Sequence, residues 1–213
     1  MTVWTVVCAG GAGHRFGSAK QYAELGGKRL IEHAVANAAA VSDFVVVGAP
    51  AGDVTDLRWS FASTAIKVIP GGALRSDTVR CALAVIPESA DVIVVHDAAR
   101  PLAPSSLFAA VIAAVEAGAD GAVPAIAVPD TVKRVSGDVV VDTLDRSELV
   151  MVQTPQAFRA EALRAAHQGA PDATDDAALV ERAGGKVVVV PGTPAAGKVT
   201  TPDDLVAMQR WLP

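Results

Sequence analysis

The sequence predicts an α/β fold in which a mostly parallel β-sheet is covered by helices on both faces, with a β-arm that projects from it. Three observations predict this fold: short runs of β-branched residues alternate with longer alanine-rich segments, the apolar runs are continuous, and one later segment breaks this rhythm. Continuous apolar runs are typical of strands that are buried on both faces. Strands that alternate with helices form parallel sheets with helices on both sides.

Six apolar runs are predicted as the buried strands. In chain order they are TVWTVVCA (2–9), FVVVGA (44–49), IKVIP (66–70), DVIVVHD (91–97), GAVPAIAV (121–128) and KVVVVPG (186–192). Helices are predicted between them over residues 30–40, 77–86, 104–117, 174–183 and 202–211. In an open parallel sheet the ligand crevice lies beyond the carboxyl ends of the strands, so the loops after these runs are the candidate functional segments.

The segment PDTVKRVSGDVVVDTLDRSEL (129–149) does not follow the alternation of strands and helices. It alternates in polarity, has no helical period and contains a turn candidate at residues 136–138. This pattern predicts a projecting β-hairpin. Since no linker or repeat occurs elsewhere, we expect one domain over residues 1–213 with an arm at about 129–150.

The composition excludes several classes of protein. The chain has 213 residues, of which 51% are hydrophobic and 19% charged, and its formal net charge is -5. This hydrophobic content excludes a disordered chain, and an acidic chain lacks the general basic field that binds nucleic acid. No apolar run reaches the ~18 residues of a membrane span, so we expect a cytoplasmic protein with neither nucleic acid nor membrane as a partner. Any anion must be captured locally.

The loop after the first strand is the most informative one. It reads GGAGHRFGSAK from Gly10 and ends at Lys20, with a second cation at Arg15. Glycines let backbone amides approach a polyphosphate, and the cations supply the charge that local anion capture requires. The loop is not a dinucleotide fingerprint, because Phe16 occupies the place of the third glycine, and it is not a Walker loop. The alternative is a glycine turn that only links a strand to a helix.

A second glycine loop comes close to a phosphate-binding pattern. Residues 192–198, GTPAAGK, fit Gly-x4-Gly-Lys after a strand, but Val199 stands where that pattern needs a hydroxyl for magnesium. A true phosphate-binding loop is therefore not predicted here. Lys198 remains a candidate for the crevice.

Two further strand ends carry polar side chains. GGALRSDT (71–78) is a glycine turn that leads through Arg75 into a helix, and it is either a ligand-contacting loop or a simple turn. VHDAARP (95–101) places Asp97 and Arg100 directly after a buried strand. A carboxylate there can bind a divalent metal that bridges phosphates, and an arginine can clamp a phosphate by two hydrogen bonds. The alternative is an Asp97–Arg100 ion pair that stabilises the turn.

The order of these motifs resembles that of one enzyme family. AGGAGHRFG, KQY, GGALRSDTV, VHDAARP, PDTVK, LDRSEL, QTPQAF, TDDAALVE and GKVTTPDDL are together similar to the 2-C-methyl-D-erythritol 4-phosphate cytidylyltransferases of the non-mevalonate isoprenoid pathway, over nearly the whole chain. The resemblance implies a Rossmann-like nucleotidyltransferase. It implies a homodimer that uses Mg2+ or another divalent cation and joins CTP to a polyol phosphate, releasing pyrophosphate and giving 4-diphosphocytidyl-2-C-methyl-D-erythritol.

The resemblance also implies roles for individual residues. The catalytic residues would be Arg15, Lys20, Asp97 and Lys198, with Asp97 also holding the metal. The nucleotide would contact Ala9, Gly10, Gly11, Gly13, Gly71, Gly72, Arg75 and Thr78. The polyol phosphate would contact Arg100, Thr131, Arg146 and Thr154. Thr131 and Arg146 match arm residues that complete the site of the partner subunit.

Two alternative functions are open from the sequence. Ribitol-5-phosphate cytidylyltransferases share the Gly10-Gly11 pair and perform the same reaction on a different alcohol phosphate, although HDAARP, LDRSEL and TDDAALVE favour methylerythritol phosphate. The second alternative is a non-catalytic nucleotide sensor on the same scaffold, against which the retained charged residues argue. Ala195 stands where the family has an acidic residue, so metal binding would depend on Asp97.

Overall fold

Strands and helices alternate along most of the chain. The computed structural model describes residues 1–11, 13, 15–169 and 173–212. Its strands are β1 (Val3–Cys8), β2 (Glu24–Leu25), β3 (Lys28–Arg29), β4 (Phe44–Ala49), β5 (Ile66–Pro70), β6 (Val92–Asp97), β7 (Gly121–Ala127), β8 (Val132–Ser136), β9 (Val139–Leu144), β10 (Val150–Val152), β11 (Gln156–Arg159) and β12 (Val187–Pro191). Its helices are α1 (Leu30–Ala39), α2 (Val54–Ser60), α3 (Arg75–Leu83), α4 (Ser105–Glu116), α5 (Ala160–Ala166), α6 (Asp176–Arg182) and α7 (Pro202–Met208). Within the described ranges, no helix is long and apolar enough to cross a bilayer.

One sheet forms the centre of the fold and holds eight strands of the described chain. The strand order is β10–β7–β11–β6–β1–β4–β5, and β12 also pairs with β7. β1 lies between β4 and β6 and pairs with both in parallel, as β4 does with β5 and β12 with β7. All six predicted strands belong to this sheet. The prediction of a mostly parallel sheet is therefore confirmed.

Two strands of the sheet were not predicted from the sequence. β11 lies antiparallel between β6 and β7, and β10 pairs antiparallel with the end of β7. β11 has four residues and begins with the polar Gln156, which is buried, whereas the three residues of β10 are exposed. β11 reads QAFR and is not a continuous apolar run, and β10 reads VMV but has only three residues, so neither shows the longer apolar run that marks a strand buried on both faces. The short helices α2 and α5 were also not predicted.

The core lies on both faces of the sheet. Val6 and Val7 are neighbours on β1, and both are fully buried. The Val7 side packs against α1 and α4, and the Val6 side packs against α3, α5 and α6. Successive side chains of a strand point to opposite faces, so a sheet covered on both sides favours apolar residues at consecutive positions. This preference explains the continuous apolar runs of the sequence.

Phe108 tests the assignment of the core. Phe108 of α4 is fully buried, and its ring centroid lies 4.8 Å from that of His96 on β6. We expect Phe108→Ala to lower the free energy of unfolding by about 3–5 kcal/mol, because it removes buried apolar surface and leaves a cavity. Urea unfolding followed by circular dichroism measures this change. In the control Trp59→Ala, a residue 81% exposed, the change should stay within about 0.5 kcal/mol; equal losses would contradict the assignment.

β8 and β9 form the projecting arm as a separate two-stranded antiparallel sheet. Gly137 at its tip has φ +62, in the left-handed region that favours glycine. The hairpin predicted from the sequence is therefore present. The exposed apolar side chains of the arm are Val135, Val139, Val140 and Val141.

Candidate active site

A cavity opens at the carboxyl ends of β1 and β6, the edge at which parallel sheets bind ligands. Its lining consists of Cys8, Ala9, Gly10, Gly11, Lys20, Gln21, Gly72, Ala73, Leu74, Arg75, Thr78, Asp97, Ala98, Ala99 and Lys198. These residues come from the loops after β1, β5 and β6 and from the segment before α7. The candidate residues from the sequence that lie outside the lining are Gly13, Arg15, Gly71, Arg100, Thr131, Arg146 and Thr154.

The loop after β1 depends on Gly13 for its shape. Gly13 has φ +68, and a Cβ at this position would come within 1.8 Å of the carbonyl oxygen of Ser18. Gly13 therefore permits the tight turn but does not line the cavity, whereas Gly10 and Gly11 do line it. The loop residues outside the described part of the chain are Ala12 and His14.

The first turn of α3 holds the loop between β5 and α3. The Thr78 hydroxyl accepts a hydrogen bond from the Gly72 amide at 3.1 Å and donates one to the Leu74 carbonyl at 3.2 Å. The Asp77 carboxylate accepts from the Leu74 amide at 3.0 Å, and α3 begins at Arg75, two residues before the predicted start. The Thr78 hydroxyl, a candidate nucleotide contact, is thus engaged in shaping this loop.

Asp97 ends β6 between two cations. Its Oδ1 accepts a hydrogen bond from Arg75 Nε at 2.9 Å, and its Oδ2 accepts one from Lys198 Nζ at 2.7 Å. Burial by itself would raise the pKa of this carboxyl, but the Arg75 and Lys198 charges outweigh it and hold the pKa well below its usual range. Asp97 is therefore ionised at neutral pH.

Arg100 turns away from the carboxylate of Asp97. Its Nη1 donates to the Ala196 carbonyl at 2.8 Å, and its Nη2 donates to the Val152 carbonyl at 3.4 Å. These bonds connect the end of β6 to β10 and to the segment before α7. Since two other cations occupy the Asp97 carboxylate, the Asp97–Arg100 ion pair considered from the sequence is wrong.

Three cations, Lys20, Arg75 and Lys198, converge on this cavity. Burial and the charge of Lys198 lower the pKa of Lys20, and Arg15 adds to this effect from its exposed position on the loop. Asp97 is the one acidic side chain among the described lining residues, against these three cations. The cavity is therefore positive although the chain as a whole is acidic.

As the sequence predicts, the segment 192–199 does not form a phosphate-binding loop. Residues Pro194–Ala196 form a single 3₁₀ turn capped by Thr193, and α7 begins only at Pro202. Val199, at the position of the Walker hydroxyl, is fully buried, and its carbonyl accepts a hydrogen bond from Lys20 Nζ at 2.9 Å. This segment instead brings a lysine to the cavity and anchors another.

Thr154 and His96 form a buried pair behind Asp97. The Thr154 hydroxyl accepts a hydrogen bond from the Asp97 amide at 3.0 Å and lies 3.1 Å from Nδ1 of His96. Burial lowers the pKa of His96 to about 4, so its ring is neutral at neutral pH. The hydroxyl and the neutral ring therefore share one hydrogen bond between Oγ1 of Thr154 and Nδ1 of His96. Thr154 supports the end of β6 from the junction of β10 and β11.

The two candidate residues of the arm lie away from the cavity of their own chain. Thr131 directly precedes β8. Arg146 begins the 3₁₀ turn Arg146–Glu148 after β9, where its guanidinium donates to the Pro129 carbonyl. Both side chains are exposed. One chain by itself does not bring them to the site.

Sequence reasoning missed an acidic residue behind the cavity. Asp176, the first residue of α6, is 1% exposed and accepts a hydrogen bond from Arg75 Nη1 at 2.6 Å. His167 Nε2 lies 2.9 Å from its other oxygen. The sequence signal was the pair Asp175-Asp176 at a helix start, which complementarity to the helix dipole explains equally well. Gln21, which lines the cavity, was also missed.

The sheet and its positive edge define a class of protein. An ionised carboxylate among converging cations, beyond the ends of parallel strands, is the arrangement of an α/β nucleotidyltransferase, which must bind a triphosphate and neutralise its charge. The family model described as "IspD: 2-C-methyl-D-erythritol 4-phosphate cytidylyltransferase" matches residues 3–212. The chain belongs to this family, and the resemblance inferred from its motifs is confirmed.

Similar proteins agree with this assignment. A protein of Saccharopolyspora erythraea named 2-C-methyl-D-erythritol 4-phosphate cytidylyltransferase is 46% identical over 225 residues, covering 100% of both chains. The crystal structure of the enzyme of that name from Thermus thermophilus has a TM-score of 0.83 at 32% identity and covers 99% of this chain and 98% of its own. A Granulibacter bethesdensis protein named "Bifunctional enzyme IspD/IspF" is 40% identical over 216 residues. The chain is covered completely in that match but spans only 57% of the longer protein.

Proposed function

We propose that this chain transfers the cytidylyl group of CTP to 2-C-methyl-D-erythritol 4-phosphate. An oxygen of the acceptor's phosphate forms a bond to the α-phosphorus of CTP, and the bond from that phosphorus to the bridging oxygen of the β-phosphate breaks. The products are 4-diphosphocytidyl-2-C-methyl-D-erythritol and pyrophosphate. The observation that carries this proposal is the convergence of Lys20, Arg75 and Lys198 around Asp97 at one cavity, in a chain of this family.

The chemistry suits the residues of the cavity. The attacking phosphate is already ionised near neutral pH, since its second pKa is about 6. No side chain therefore has to remove a proton. Two anions must nevertheless meet in line with the departing pyrophosphate, so catalysis consists of alignment and of neutralising negative charge. The lysine ammonium groups at the cavity offset this repulsion.

Lys20 and Lys198 hold their ammonium groups in different ways before substrate arrives. Lys20 donates to the carbonyl of Val199, and Lys198 donates to the carboxylate of Asp97. The Lys198 side chain is 41% exposed, so it can exchange this contact for a phosphate oxygen without disturbing the core. Gly10 and Gly11 leave the first loop free of side chains on the cavity side, where the triphosphate and the cytidine would lie.

Asp97 fits a role as a ligand for Mg2+. Within the described residues, no cluster of three or more His, Cys, Asp or Glu side chains could hold a metal by itself. Mg2+ is usually bound by one or two carboxylates together with substrate phosphates and water, and Asp97 is an ionised carboxylate at the cavity. We therefore assign Asp97 and the phosphates of CTP as the ligands of Mg2+ or another divalent cation. Bound there, the ion would neutralise phosphate charge.

We also propose that two copies of the chain form a homodimer through their arms. A two-stranded hairpin is at best marginally stable in water, and the valines of β8 and β9 are between 54% and 63% exposed. Val150 and Met151 of β10, which follows the arm in the chain, are exposed as well. The exposed apolar side chains therefore continue along the chain from the arm to the central sheet. A second copy would cover this apolar surface. Thr131 and Arg146 of each copy would then lie at the cavity of the other copy. The domain of residues 1–213 would then complete its partner's site with residues 129–150.

A test of acceptor preference checks the proposed function. Release of pyrophosphate from CTP is measured with 2-C-methyl-D-erythritol 4-phosphate, with ribitol 5-phosphate and without acceptor. We expect turnover with the first, at a kcat/KM at least about tenfold above that with ribitol 5-phosphate, because the hydroxyls of the two acceptors are placed differently. Turnover with ribitol 5-phosphate alone would overturn the choice of acceptor. No release with either acceptor, together with CTP binding, would indicate a nucleotide sensor.

A further inference from the structure

A row of polar groups, formed by His167 and Asp176, lies behind the cavity and ends at Arg75. Arg75 Nε donates to Asp97 at 2.9 Å, and Arg75 Nη1 donates to Asp176 at 2.6 Å. The second carboxylate oxygen of Asp176 lies 2.9 Å from Nε2 of His167. Asp176 is 1% exposed and His167 is 5% exposed, so water does not compete for these contacts. The row therefore restricts the orientation of the Arg75 guanidinium at the cavity.

Arg75 joins this row to the cavity. Burial by itself would lower the pKa of Arg75, but the Asp97 and Asp176 carboxylates outweigh it and raise the pKa well above its usual value. The third guanidinium nitrogen, Nη2, is buried and has no hydrogen-bond partner within the described part of the chain. An unpaired buried donor on a residue that lines a cavity is expected where a ligand supplies the acceptor.

We propose that Asp176 is a positioning residue for the nucleotide site, which it serves by holding Arg75. An arginine next to a single carboxylate tends to bind it with two parallel hydrogen bonds. Arg75 instead divides its donors between two carboxylates, with Nε on Asp97 and Nη1 on Asp176. In the free protein Lys198 binds the second oxygen of Asp97, and Nη2 of Arg75, which has no partner within the described residues, is left for an acceptor atom of CTP. His167 in turn holds the Asp176 carboxylate in place. This inference rests on the proposed function.

Asp176→Asn tests the proposal with little change of shape. The variant keeps the volume of the side chain but loses the charge that holds Nη1, so Arg75 is free to turn towards Asp97. We expect the KM for CTP to rise about tenfold, as for the loss of a charge-assisted hydrogen bond, while the KM for the acceptor stays within about twofold. Steady-state kinetics and calorimetric titration with CTP both measure this change. An unchanged KM for CTP would overturn the proposal.

Asp175→Asn is the matched control. Asp175 caps the same helix, because its Oδ1 accepts from the Ala178 amide at 3.0 Å, and its Oδ2 accepts from Gln156 Nε2 at 3.0 Å. The control removes one negative charge from the start of α6 without removing the partner of Arg75, and its side-chain oxygen can still accept from the Ala178 amide. It should leave the KM for CTP unchanged. A rise in KM of the same size in both variants would show that the docking of α6, and not Asp176, matters, and would overturn the proposal.

A double variant separates positioning from a general structural role. In an Arg75→Gln background, adding Asp176→Asn should raise the KM for CTP no further, since Asp176 acts through Arg75. A second rise of full size would contradict the proposal. If Asp176→Asn does not fold, His167→Phe and His167→Gln give the same test, because only glutamine keeps an N–H donor towards Asp176. A higher KM in the phenylalanine variant alone would support the proposal, and equal values would overturn it.

The wild-type measurements keep the two proposals apart. If the wild-type chain releases no pyrophosphate from CTP and the acceptor, the proposed function fails. Calorimetric titration with CTP then still shows whether Asp176→Asn weakens nucleotide binding. If the wild type is active and CTP binding is insensitive to Asp176→Asn, only the positioning role fails.

Discussion

Lys20→Ala is expected to lower kcat by about 10²–10³-fold, the size of effect that follows removal of one electrostatic contact to a transition state. The Lys20 ammonium lies at the cavity, where the proposed reaction would develop negative charge as the pyrophosphate leaves. In the free protein the Lys20 ammonium donates to the carbonyl of Val199. Its removal should therefore change the free energy of unfolding by only about 1 kcal/mol. Pyrophosphate release and urea unfolding measure the two quantities.

Lys28→Ala is the control for this experiment. Lys28 is an exposed lysine of β3 and does not line the cavity, so its removal changes the net charge by the same amount. Its kcat should equal that of the wild type. A cooperative loss of folding in Lys20→Ala would indicate a structural lysine, and similar kcat values in both lysine variants would contradict the assigned role.

Mixing two inactive subunits is expected to restore activity if the arm serves the partner's site. We expect Lys20→Ala and Arg146→Ala to be inactive as homodimers. In the heterodimer one site would carry both changes, whereas the other would combine an intact body with an intact arm. The isolated heterodimer should therefore show about half the wild-type activity, because one of two symmetric sites is complete. Co-expression with two affinity tags yields this species for a pyrophosphate-release assay.

Arg134→Ala provides the matched control for the arm. Arg134 is an exposed arginine of β8, whose guanidinium pairs with Asp142 on β9 at 3.5 Å. Such an exposed ion pair contributes little, so the Arg134→Ala homodimer should keep its activity. A heterodimer of Lys20→Ala and Arg146→Ala that stays inactive would show that each chain uses its own arm, or that Arg146 acts elsewhere.

Most of the central sheet could be predicted because strands that are buried on both faces are continuous apolar runs, which can be recognised in the sequence. Val6 and Val7 of β1 point to opposite faces and are both fully buried, so both positions favour apolar residues. β11 is not a continuous apolar run. It fills the space between β6 and β7 with four residues that begin at Gln156, whose Nε2 hydrogen-bonds to Asp175. A buried polar side chain with a partner far along the chain is not recognisable from local pattern.

The candidate site shows the same division. The residues on the glycine loops, and Asp97 at the end of β6, could be proposed from strand ends and resemblance alone. Their partners could not. Asp97 is held by Lys198, 101 positions later, and Arg75 is held by Asp176, also 101 positions away. From neighbours in sequence, Arg100 was one possible partner of Asp97, yet its guanidinium binds the carbonyls of Ala196 and Val152.

Alone, the amino-acid sequence determined the alternation of strands and helices, the hairpin and the family, because each of these depends on local periodicity or on short motifs. The tertiary structure decided which charges meet. Ion pairs form between side chains that the sheet brings to one edge, whatever their separation along the chain. The positions of Arg75, Asp97, Asp176 and Lys198 relative to one another therefore follow from strand order, which no local stretch of sequence contains.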